Sequence, residues 1–233
     1  MNTSRVRQAW ICGLGLCAAL LSQVVMAQPV QYEAGVHYQE LAQPLPDLDP
    51  DRIEVVELFW YGCPECYDLL PASQIWESSY RTTDMDFSRA PLVWNKAMEA
   101  HARIYLTADV MGLLPVVPKS GWEVKRSIHN DAFEAIHEQG KALVEMDEIW
   151  ALFEATGVTR DAFDLAWNSA EVTSRLDELK KLSTAPEIGS LPALLLHGRY
   201  VIRYNAAVKS QEDLYKVLNF LIARIRDAQR AQR

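Results

Sequence analysis

The segment at residues 54–67 constrains the fold most, because it joins a buried strand to a helix that opens with a Cys-x-x-Cys pattern. Residues 55–61 are β-branched, aliphatic or aromatic apart from one acid, which is typical of a strand covered on both faces. Gly62 then breaks the strand. Pro64 suits the first position of a helix, because its φ angle is already helical and its missing N–H costs no hydrogen bond there. The segment therefore predicts a strand, a break and a helix.

Cys63 and Cys66 fall in the first turn of this predicted helix. Unpaired backbone N–H groups and the positive end of the helix dipole favour a thiolate over a thiol at that position. Cys63, at the helix mouth, is therefore a candidate nucleophile, and Cys66, one turn further in, can attack it in return. Zinc sites also use Cys-x-x-Cys, but zinc would need two further ligands nearby, and no second cysteine pair follows residue 27.

Residues 1–27 differ in composition from the rest of the chain. Two arginines precede an apolar run at 9–21, and the small residues Val25 and Ala27 match the −3 and −1 positions of a cleavage site. We expect a secretory signal peptide that is cleaved after Ala27. A transmembrane anchor is the alternative, but the apolar run is shorter than the roughly 20 residues needed to span a bilayer. A lipoprotein is disfavoured because neither cysteine of this segment follows a small residue.

Cleavage at this site would change the charge and the cysteine content. It would leave 21 basic against 31 acidic residues, a net charge of −10, which argues against nucleic acid or anionic lipid as a partner. Cys63 and Cys66 would be the only cysteines, whereas a disulfide-stapled scaffold would have more, at wider spacings. The chain of 233 residues is long enough for one well-cored domain with an insertion.

The remaining segments predict an α/β order around the central strand. Residues 37–41 indicate a short edge strand, and the proline-rich segment 43–51 indicates a connector. Residues 85–93 indicate a strand parallel to the central one, because a helix links the two. Aromatic stripes in the helical middle of the chain are interpreted as core packing rather than a ligand site. Helices are predicted at 96–111, 122–138, 146–156, 160–167 and 171–183, a β-hairpin at 193–203, and a last helix from a Ser210 cap to about Ala228.

This order, with a Cys-Pro-x-Cys-Tyr motif at 63–67 and a proline opening the next-to-last strand, resembles the DsbA-type periplasmic thiol:disulfide oxidoreductases. The likeness covers nearly the whole chain after residue 27. It implies an α/β protein with a thioredoxin fold and an inserted helical domain. The thioredoxin-like domain would comprise 28–95 and 184–233, and the insertion 96–183. Further matching stretches are 32–35 with Tyr38, the strand around Glu57, 166–169, 191–193 and 198–200.

The resemblance also implies roles for single residues. Cys63 corresponds to an exposed nucleophile and Cys66 to its buried resolving partner. Pro192 matches a cis-proline that faces the cysteines and, with Leu191, would bind an extended substrate peptide; an ordinary trans proline is the alternative. Glu57 matches a buried acid that relays a proton to or from Cys66. An exposed strand carboxylate is the alternative, but the apolar neighbours of Glu57 favour burial, and we expect that buried carboxylate to be uncompensated.

Two positions depart from the family pattern. Glu65 stands where the oxidases usually carry a histidine, whose protonated ring helps to stabilise the thiolate. At ~6 Å and an effective dielectric of roughly 20 to 80, the Glu65 charge opposes ionisation of Cys63 by about 0.7 to 3 kcal/mol. The helix terminus favours ionisation by only about 0.3 to 1 kcal/mol, so the two effects should offset or the carboxylate should win. Pro64 and Glu65 are thus candidates for redox tuning. Leu191, in place of a smaller β-branched residue, is a milder departure.

The family resemblance implies a monomeric periplasmic enzyme. It would donate its Cys63–Cys66 disulfide to unfolded exported proteins with free thiols, and a membrane-embedded, quinone-linked reoxidase of the DsbB type would restore the disulfide. It would need no organic cofactor and no metal, and would bind no nucleic acid. One alternative is a thiol reductase or isomerase on the same fold, which Glu65 favours although a separate dimerisation domain is absent. Another is a non-catalytic peptide-binding chaperone module.

Overall fold

A computed structural model describes residues 31–45, 49–114 and 127–232 of the chain. The predicted signal peptide at 1–27 lies outside these residues, and the described residues from Tyr32 onward form one unit. Among the helices of the described part, none combines the length and the apolar character needed to cross a membrane.

A five-stranded sheet forms the centre of the fold, and its strands are β1 (Gln39–Glu40), β2 (Ile53–Phe59), β3 (Met85–Pro91), β4 (Ala193–Leu196) and β5 (Tyr200–Arg203). Their order in the sheet is β1-β5-β4-β2-β3. The central strand β2 pairs in parallel with β3 and antiparallel with β4. The parallel pairing was predicted from the helical crossover between β2 and β3, and it is confirmed.

The central strand ends at Phe59, two residues earlier than predicted. The reason is a tight turn: the Cys63 N–H donates to the carbonyl of Trp60 at 3.0 Å, so the chain leaves the sheet before Tyr61. Strand β3 likewise ends at Pro91 rather than Val93, because its partner in the register is Phe59, where β2 ends, and the Leu92 N–H makes the last bond to the Phe59 carbonyl at 2.9 Å.

Seven helices are described. They are α1 (Pro64–Tyr80), α2 (Lys96–Val110), α3 (Ile128–His137), α4 (Met146–Glu154), α5 (Arg160–Trp167), α6 (Ala170–Leu182) and α7 (Gln211–Ala231). The predicted start of α3 at Trp122 is wrong, because Ser127 is extended and its hydroxyl caps the helix by accepting from the Asn130 N–H at 3.3 Å. Residues 122–126 lie outside the described part of the chain. The Ser210 cap of α7 is confirmed and includes a reciprocal bond from Asp213.

Helices α2 to α6 all fall between β3 and β4 in the sequence, so the helical segment is inserted into the α/β order. The predicted fold class, a thioredoxin fold with an inserted helical domain, is confirmed. One apolar cluster joins these helices to the end of β2 and to the first turn of α1, where the cysteines lie. The aromatic stripes of the insertion belong to this cluster, so their interpretation as core is confirmed for Phe133, Phe153 and Phe163, which are buried.

Candidate active site

The first turn of α1 is built around Cys63, which is the N-cap residue of that helix. Its backbone is extended, and its sulfur accepts a hydrogen bond from the Cys66 N–H at 3.2 Å. Pro64 occupies the first helical position, as predicted. Gly62 is required just before the cap, because a Cβ atom there would overlap the indole ring of Trp60. The sequence therefore places a sulfur atom where α1 has unpaired N–H groups.

Cys63 and Cys66 are both free thiols and are both buried. Cys66 has no exposed surface, as predicted, whereas Cys63 retains 6% of its exposure. Cys63 is therefore less exposed than the family resemblance implied. The reason is its place in the apolar cluster between α1 and the inserted helices, which leaves only an edge of the residue in contact with solvent.

The surroundings of Cys63 and Cys66 move their pKa values in opposite directions. Hydrogen bonding from the side chain and the backbone of Cys66 lowers the pKa of Cys63, although burial opposes this effect. Burial raises the pKa of Cys66 far above its ordinary value, and the neighbouring Cys63 raises it further. Cys63 is consequently the sulfur that ionises first.

Glu65 is exposed and lies beside the nucleophile, with its Oε2 atom 3.7 Å from the Cys63 sulfur. Its negative charge and the hydrogen bond that it accepts from the thiol both raise the pKa of Cys63. This direction agrees with the sequence argument. The expectation that the carboxylate would offset or outweigh the favourable effects is wrong, because the net change in the Cys63 pKa is a decrease. Hydrogen bonding from Cys66, which the sequence argument omitted, accounts for the difference.

Glu57 lies on the central strand with only 1% of its surface exposed, so its predicted burial is confirmed. It is not uncompensated, however. The Ser73 hydroxyl donates to Oε2 of Glu57, and the Arg89 Nε atom lies 3.2 Å from the same oxygen. The Nε–H is not aligned for a hydrogen bond, so this contact is an ion pair. Arg89 is placed there because β2 and β3 pair in a register that sets Glu57 opposite Arg89.

A second carboxylate shares the Arg89 guanidinium. The Nη2 atom of Arg89 lies 3.3 Å from Oε2 of Glu77 and donates to the Ser73 hydroxyl at 3.2 Å. The side chains of Arg89 and Glu77 are 7% and 9% exposed, so this is a buried network of one cation and two acids. Of its members, only Glu57 was predicted; Ser73, Glu77 and Arg89 were missed in the sequence. The one available signal was the helical spacing of Ser73 and Glu77 on the face of α1 that carries Cys66.

The peptide bond between Leu191 and Pro192 is cis, as the family resemblance implied. Pro192 is buried directly before β4, and Leu191 packs against the apolar cluster that contains Cys63 and Cys66. Among the described residues, no group of three or more His, Cys, Asp or Glu side chains is placed to hold a metal ion.

Contacts from α3 fix the turn that precedes the cysteines. The Nε2 atom of His137 lies 2.8 Å from the Tyr61 carbonyl oxygen, and the Tyr61 hydroxyl lies 3.2 Å from Nδ1 of His129. The Tyr67 ring stacks on His137 at 4.8 Å, and the Tyr67 hydroxyl donates to Glu138. The sequence offered no signal for these contacts, because they join segments more than 60 residues apart.

Similarities to known proteins agree with this geometry. No family model matches the chain. It is 33% identical to the thiol:disulfide interchange protein DsbA of Azotobacter vinelandii over 211 residues, which are 91% of this chain and 92% of the relative. It is 34% identical to the protein of the same name from Pseudomonas aeruginosa over 202 residues, 87% of this chain and 90% of the relative.

Solved structures give the same result. The crystal structure of Pseudomonas aeruginosa DsbA superposes with a TM-score of 0.74 at 33% identity and covers 85% of this chain and 97% of that one. The oxidoreductase DsbA from Xylella fastidiosa superposes with a TM-score of 0.71 at 28% identity and covers 84% of this chain and 98% of that one.

Proposed function

Because the chain belongs to the DsbA family of thiol:disulfide interchange proteins, we propose that Cys63 and Cys66 are the redox-active pair through which it acts. The chain is a thiol:disulfide oxidoreductase that introduces disulfides into other proteins. The observation that carries the assignment is the placement of the two sulfurs: Cys63 caps α1 and accepts a hydrogen bond from the Cys66 N–H at 3.2 Å, whereas Cys66 has no exposed surface. The pKa of Cys63 is lowered and that of Cys66 is raised, in agreement with this placement. One sulfur is a good leaving group and the other is protected from solvent.

The proposed reaction begins with Cys63 and Cys66 joined in a disulfide. A substrate thiolate attacks the Cys63 sulfur, the S–S bond breaks, and Cys66 leaves as a thiolate that takes up a proton. A second substrate thiolate attacks the substrate sulfur of this mixed disulfide, and Cys63 leaves. Two electrons pass from the substrate to the enzyme, and the substrate gains a disulfide. The lowered pKa of Cys63 supports its role as the second leaving group. The redox-active disulfide thus takes the place of an organic cofactor.

We assign proton transfer at Cys66 to Glu57. Cys66 has no exposed surface, so water does not reach its sulfur directly, whereas Glu57 influences the Cys66 thiol electrostatically from the adjacent strand. A carboxyl group beneath the resolving cysteine can donate a proton when Cys66 leaves and accept one when Cys66 attacks. Pro64 and Glu65 would tune the redox couple, because both lie between the two cysteines.

Substrate binding is assigned to Leu191 and Pro192, which stand at the start of β4 beside the cluster that holds the cysteines. An extended peptide that lies along this segment could pair with its backbone and present a cysteine to Cys63. The proposed domains are a thioredoxin-like domain at 28–95 and 184–233 and a helical insertion at 96–183.

The cellular setting follows from the composition of residues 1–27. Cleavage after Ala27 would release a monomeric enzyme into the periplasm, where unfolded exported proteins supply thiols. The two electrons that each substrate delivers must then leave, and a membrane-embedded quinone-linked reoxidase of the DsbB type would accept them. The net charge of −10 after cleavage argues against nucleic acid as a partner.

The test uses an unfolded, reduced protein that has a single native disulfide. Oxidised wild type should form that disulfide stoichiometrically, whereas Cys63→Ser should be inactive. Cys66→Ser, mixed with an oxidised substrate, should accumulate a mixed disulfide at Cys63. Undiminished substrate oxidation by Cys63→Ser would contradict the assignment. If Cys63→Ser instead prevented substrate aggregation as well as wild type did, while wild type oxidised nothing, the chaperone alternative would be correct.

A redox titration separates the oxidase from the reductase alternative. The reduced and oxidised forms are equilibrated with glutathione, and their ratio gives the potential of the couple. An oxidase requires a potential above that of structural disulfides, which lie below about −300 mV. A potential in that structural range would favour the reductase. The specific observation that favours this second candidate is the Glu65 carboxylate beside the Cys63 sulfur.

A further inference from the structure

One face of α1 runs from the active site into the buried charge network. Four buried residues at spacings of four, three and four positions lie on this face, which is the spacing that brings side chains onto one side of a helix. They are Cys66, Leu70, Ser73 and Glu77. The same helix therefore positions the resolving sulfur at one end and a carboxylate at the other.

Arg89 stands between the two carboxylates of the network. Its Nε atom is 3.2 Å from Glu57, and its Nη2 atom is 3.3 Å from Glu77. On the solvent side, Arg81 lies 3.6 Å from Glu77 with 30% of its side chain exposed. Charges thus alternate from Glu57 to Arg89, Glu77 and Arg81. Any change in the charge of Glu77 alters how strongly Arg89 attracts Glu57.

Five further titratable groups in the described part of the chain interact with Glu57 or Arg89, and they are neutral around pH 7. Burial raises the pKa of Tyr105 on α2, of Tyr215 on α7 and of Tyr61. Burial lowers the pKa of His129 on α3 well below its ordinary value. Burial likewise raises the pKa of Cys66, which is the proton's source or destination. Among the described residues, Arg89, Glu77 and Arg81 are therefore the charged groups through which we explain the proton affinity of Glu57.

We propose that Glu77 is a positioning residue that sets the proton affinity of Glu57 by sharing Arg89 with it. If Arg89 paired with Glu57 alone, it would stabilise the charged form of that carboxylate and make Glu57 a weaker proton acceptor. Glu77 divides the attraction of Arg89 and adds a like charge nearby, and both effects favour a proton on Glu57. Burial raises the pKa of Glu77, and Arg89 and Arg81 oppose that rise. We assign a carboxylate to Glu77 because it lies within ion-pair distance of two guanidinium groups, at 3.3 Å from Arg89 and 3.6 Å from Arg81.

The step affected is the resolution of a mixed disulfide by Cys66. Its sulfur forms a bond with Cys63, the bond between Cys63 and the partner sulfur breaks, and the partner leaves as a thiolate. The proton of the Cys66 thiol passes to Glu57. Electrons are conserved within the exchanging sulfurs, and no other oxidant is required. This inference rests on the proposed role of Glu57 as the proton acceptor.

The experiment mixes full-length reduced enzyme with oxidised glutathione and follows the reaction by rapid kinetics. The second-order attack by Cys63 and the unimolecular resolution by Cys66 are measured separately from pH 5 to pH 9. Glu77→Gln should lower the pH midpoint of the resolution step by about 0.5 to 1.5 units and reduce its plateau rate, because a weaker base accepts the proton. The Cys63 step should be unchanged. Glu77→Asp, which keeps the charge, should restore the wild-type midpoint.

Arg81→Gln is the decisive companion variant, because the side chain is partly exposed and the expected sign is opposite. Without Arg81, Glu77 has no cation other than Arg89 to pair with among the described residues, and it attracts Arg89 more strongly. The pH midpoint of the Cys66 resolution step should therefore rise. A role of Glu77 in stability alone would produce no such pair of opposite shifts. An unshifted midpoint in Glu77→Gln and Arg81→Gln, with the profile still altered in Glu57→Gln, would overturn this inference only. An unaltered profile in Glu57→Gln would overturn the proposed role of Glu57 instead.

Discussion

Cys63 and Cys66 are three residues apart on one helix, yet they lie in opposite electrostatic surroundings. Cys63 caps α1, accepts hydrogen bonds from Cys66 and keeps some contact with solvent. Cys66 has no exposed surface, and the negative charge of Glu57 opposes its ionisation. Two identical thiols thereby acquire different pKa values, one lowered and one raised.

This difference shows which physical effect is dominant at each sulfur. A helix terminus contributes only about 0.3 to 1 kcal/mol, and both sulfurs are within its first turn. At Cys66 the cost of removing a charge from water is the larger effect. At Cys63 the hydrogen bonds from Cys66 outweigh both burial and the Glu65 carboxylate. Burial keeps the Cys66 thiol protonated, so that thiol can donate a hydrogen bond to the Cys63 sulfur. Together with the Cys66 backbone N–H, it lowers the pKa of Cys63.

Selective alkylation should reveal the difference most strongly. In the reduced native protein near neutral pH, iodoacetamide should modify Cys63 at least about 100-fold faster than Cys66, because only Cys63 has an accessible thiolate fraction. Mass spectrometry of the alkylated peptides gives the two rates. The same reaction in denaturant is the control, and there the two rates should converge. Preferential labelling of Cys66 in the native protein would reverse the assignment of nucleophile and resolver.

Glu57→Gln tests the acid beneath the buried sulfur. We expect the attack of Cys66 on a mixed disulfide to slow by about 10- to 100-fold, because an amide cannot accept the proton, and the attack by Cys63 to change less than about twofold. The unfolding free energy should fall by about 1 to 3 kcal/mol, because Arg89 loses one of its buried partners. Rapid kinetics and denaturant unfolding measure the two effects.

The matched control for this variant is Glu54→Gln, a half-buried acid on the same strand. It should leave both kinetic steps intact. If Glu57→Gln weakened the fold but preserved the rate of the Cys66 step, Glu57 would be structural.

A structural feature could be predicted from the sequence when the residues that determine it are close together in the chain. The hairpin of β4 and β5 and the helix α5 have the predicted bounds, because each is defined by an apolar run or a cap within a few residues. The cap at Cys63 followed from Gly62 and Pro64 in the same way. By contrast, the start of α3 was misplaced, because periodicity alone did not reveal that Ser127 is extended.

The network around Glu57 could not be predicted, because it depends on contacts between distant segments. Arg89 is 32 positions from Glu57, and only the register of β2 and β3 makes them neighbours. A one-residue slip in that register would turn Arg89 to the other face of the sheet. For the same reason the sequence argument treated Glu57 as uncompensated.

The dependence of folding stability on pH should also distinguish Cys63 from Cys66. The reduced protein is compared with the oxidised protein, in which neither sulfur titrates, so the other groups cancel. The pKa of Cys63 is lowered on folding, so its contribution to stability grows as pH rises toward the unfolded thiol value. The pKa of Cys66 is raised on folding, so stability is lost above that value. The stability of the reduced form relative to the oxidised form should therefore pass through a maximum.

Each proton contributes a slope of up to about 1.4 kcal/mol per pH unit, and denaturant unfolding of both redox forms from pH 5 to pH 10 would detect it. Cys66→Ser in its reduced form should lose the decline at high pH, and Cys63→Ser should lose the rise. A stability difference that is independent of pH would mean that folding does not separate the two thiols.

The smallest effect is expected at Glu65, which acts on Cys63 but lies in water. Its carboxylate is 3.7 Å from the sulfur, so its charge raises the pKa of Cys63, yet its exposure means that solvent screens much of the interaction. Glu65→Gln should lower the pKa of Cys63 by about 0.5 unit, and Glu65→His, whose ring can carry a positive charge, by about 1 unit. A lower pKa stabilises the reduced enzyme through its thiolate, so the disulfide of each variant should be reduced more readily by glutathione.

Ultraviolet titration of the thiolate gives the pKa values, and the glutathione equilibrium gives the potentials. High salt should bring both variants closer to wild type, because the side chain at position 65 is exposed to solvent and its charge is screened. The two variants separate the loss of a negative charge from the gain of a positive one, and a change seen only with His would assign the effect to the imidazole. Equal Cys63 pKa values in all three proteins would mean that the hydrogen bonds from Cys66 alone determine the ionisation of the nucleophile, and Glu65 would then have no part in setting how oxidising this enzyme is.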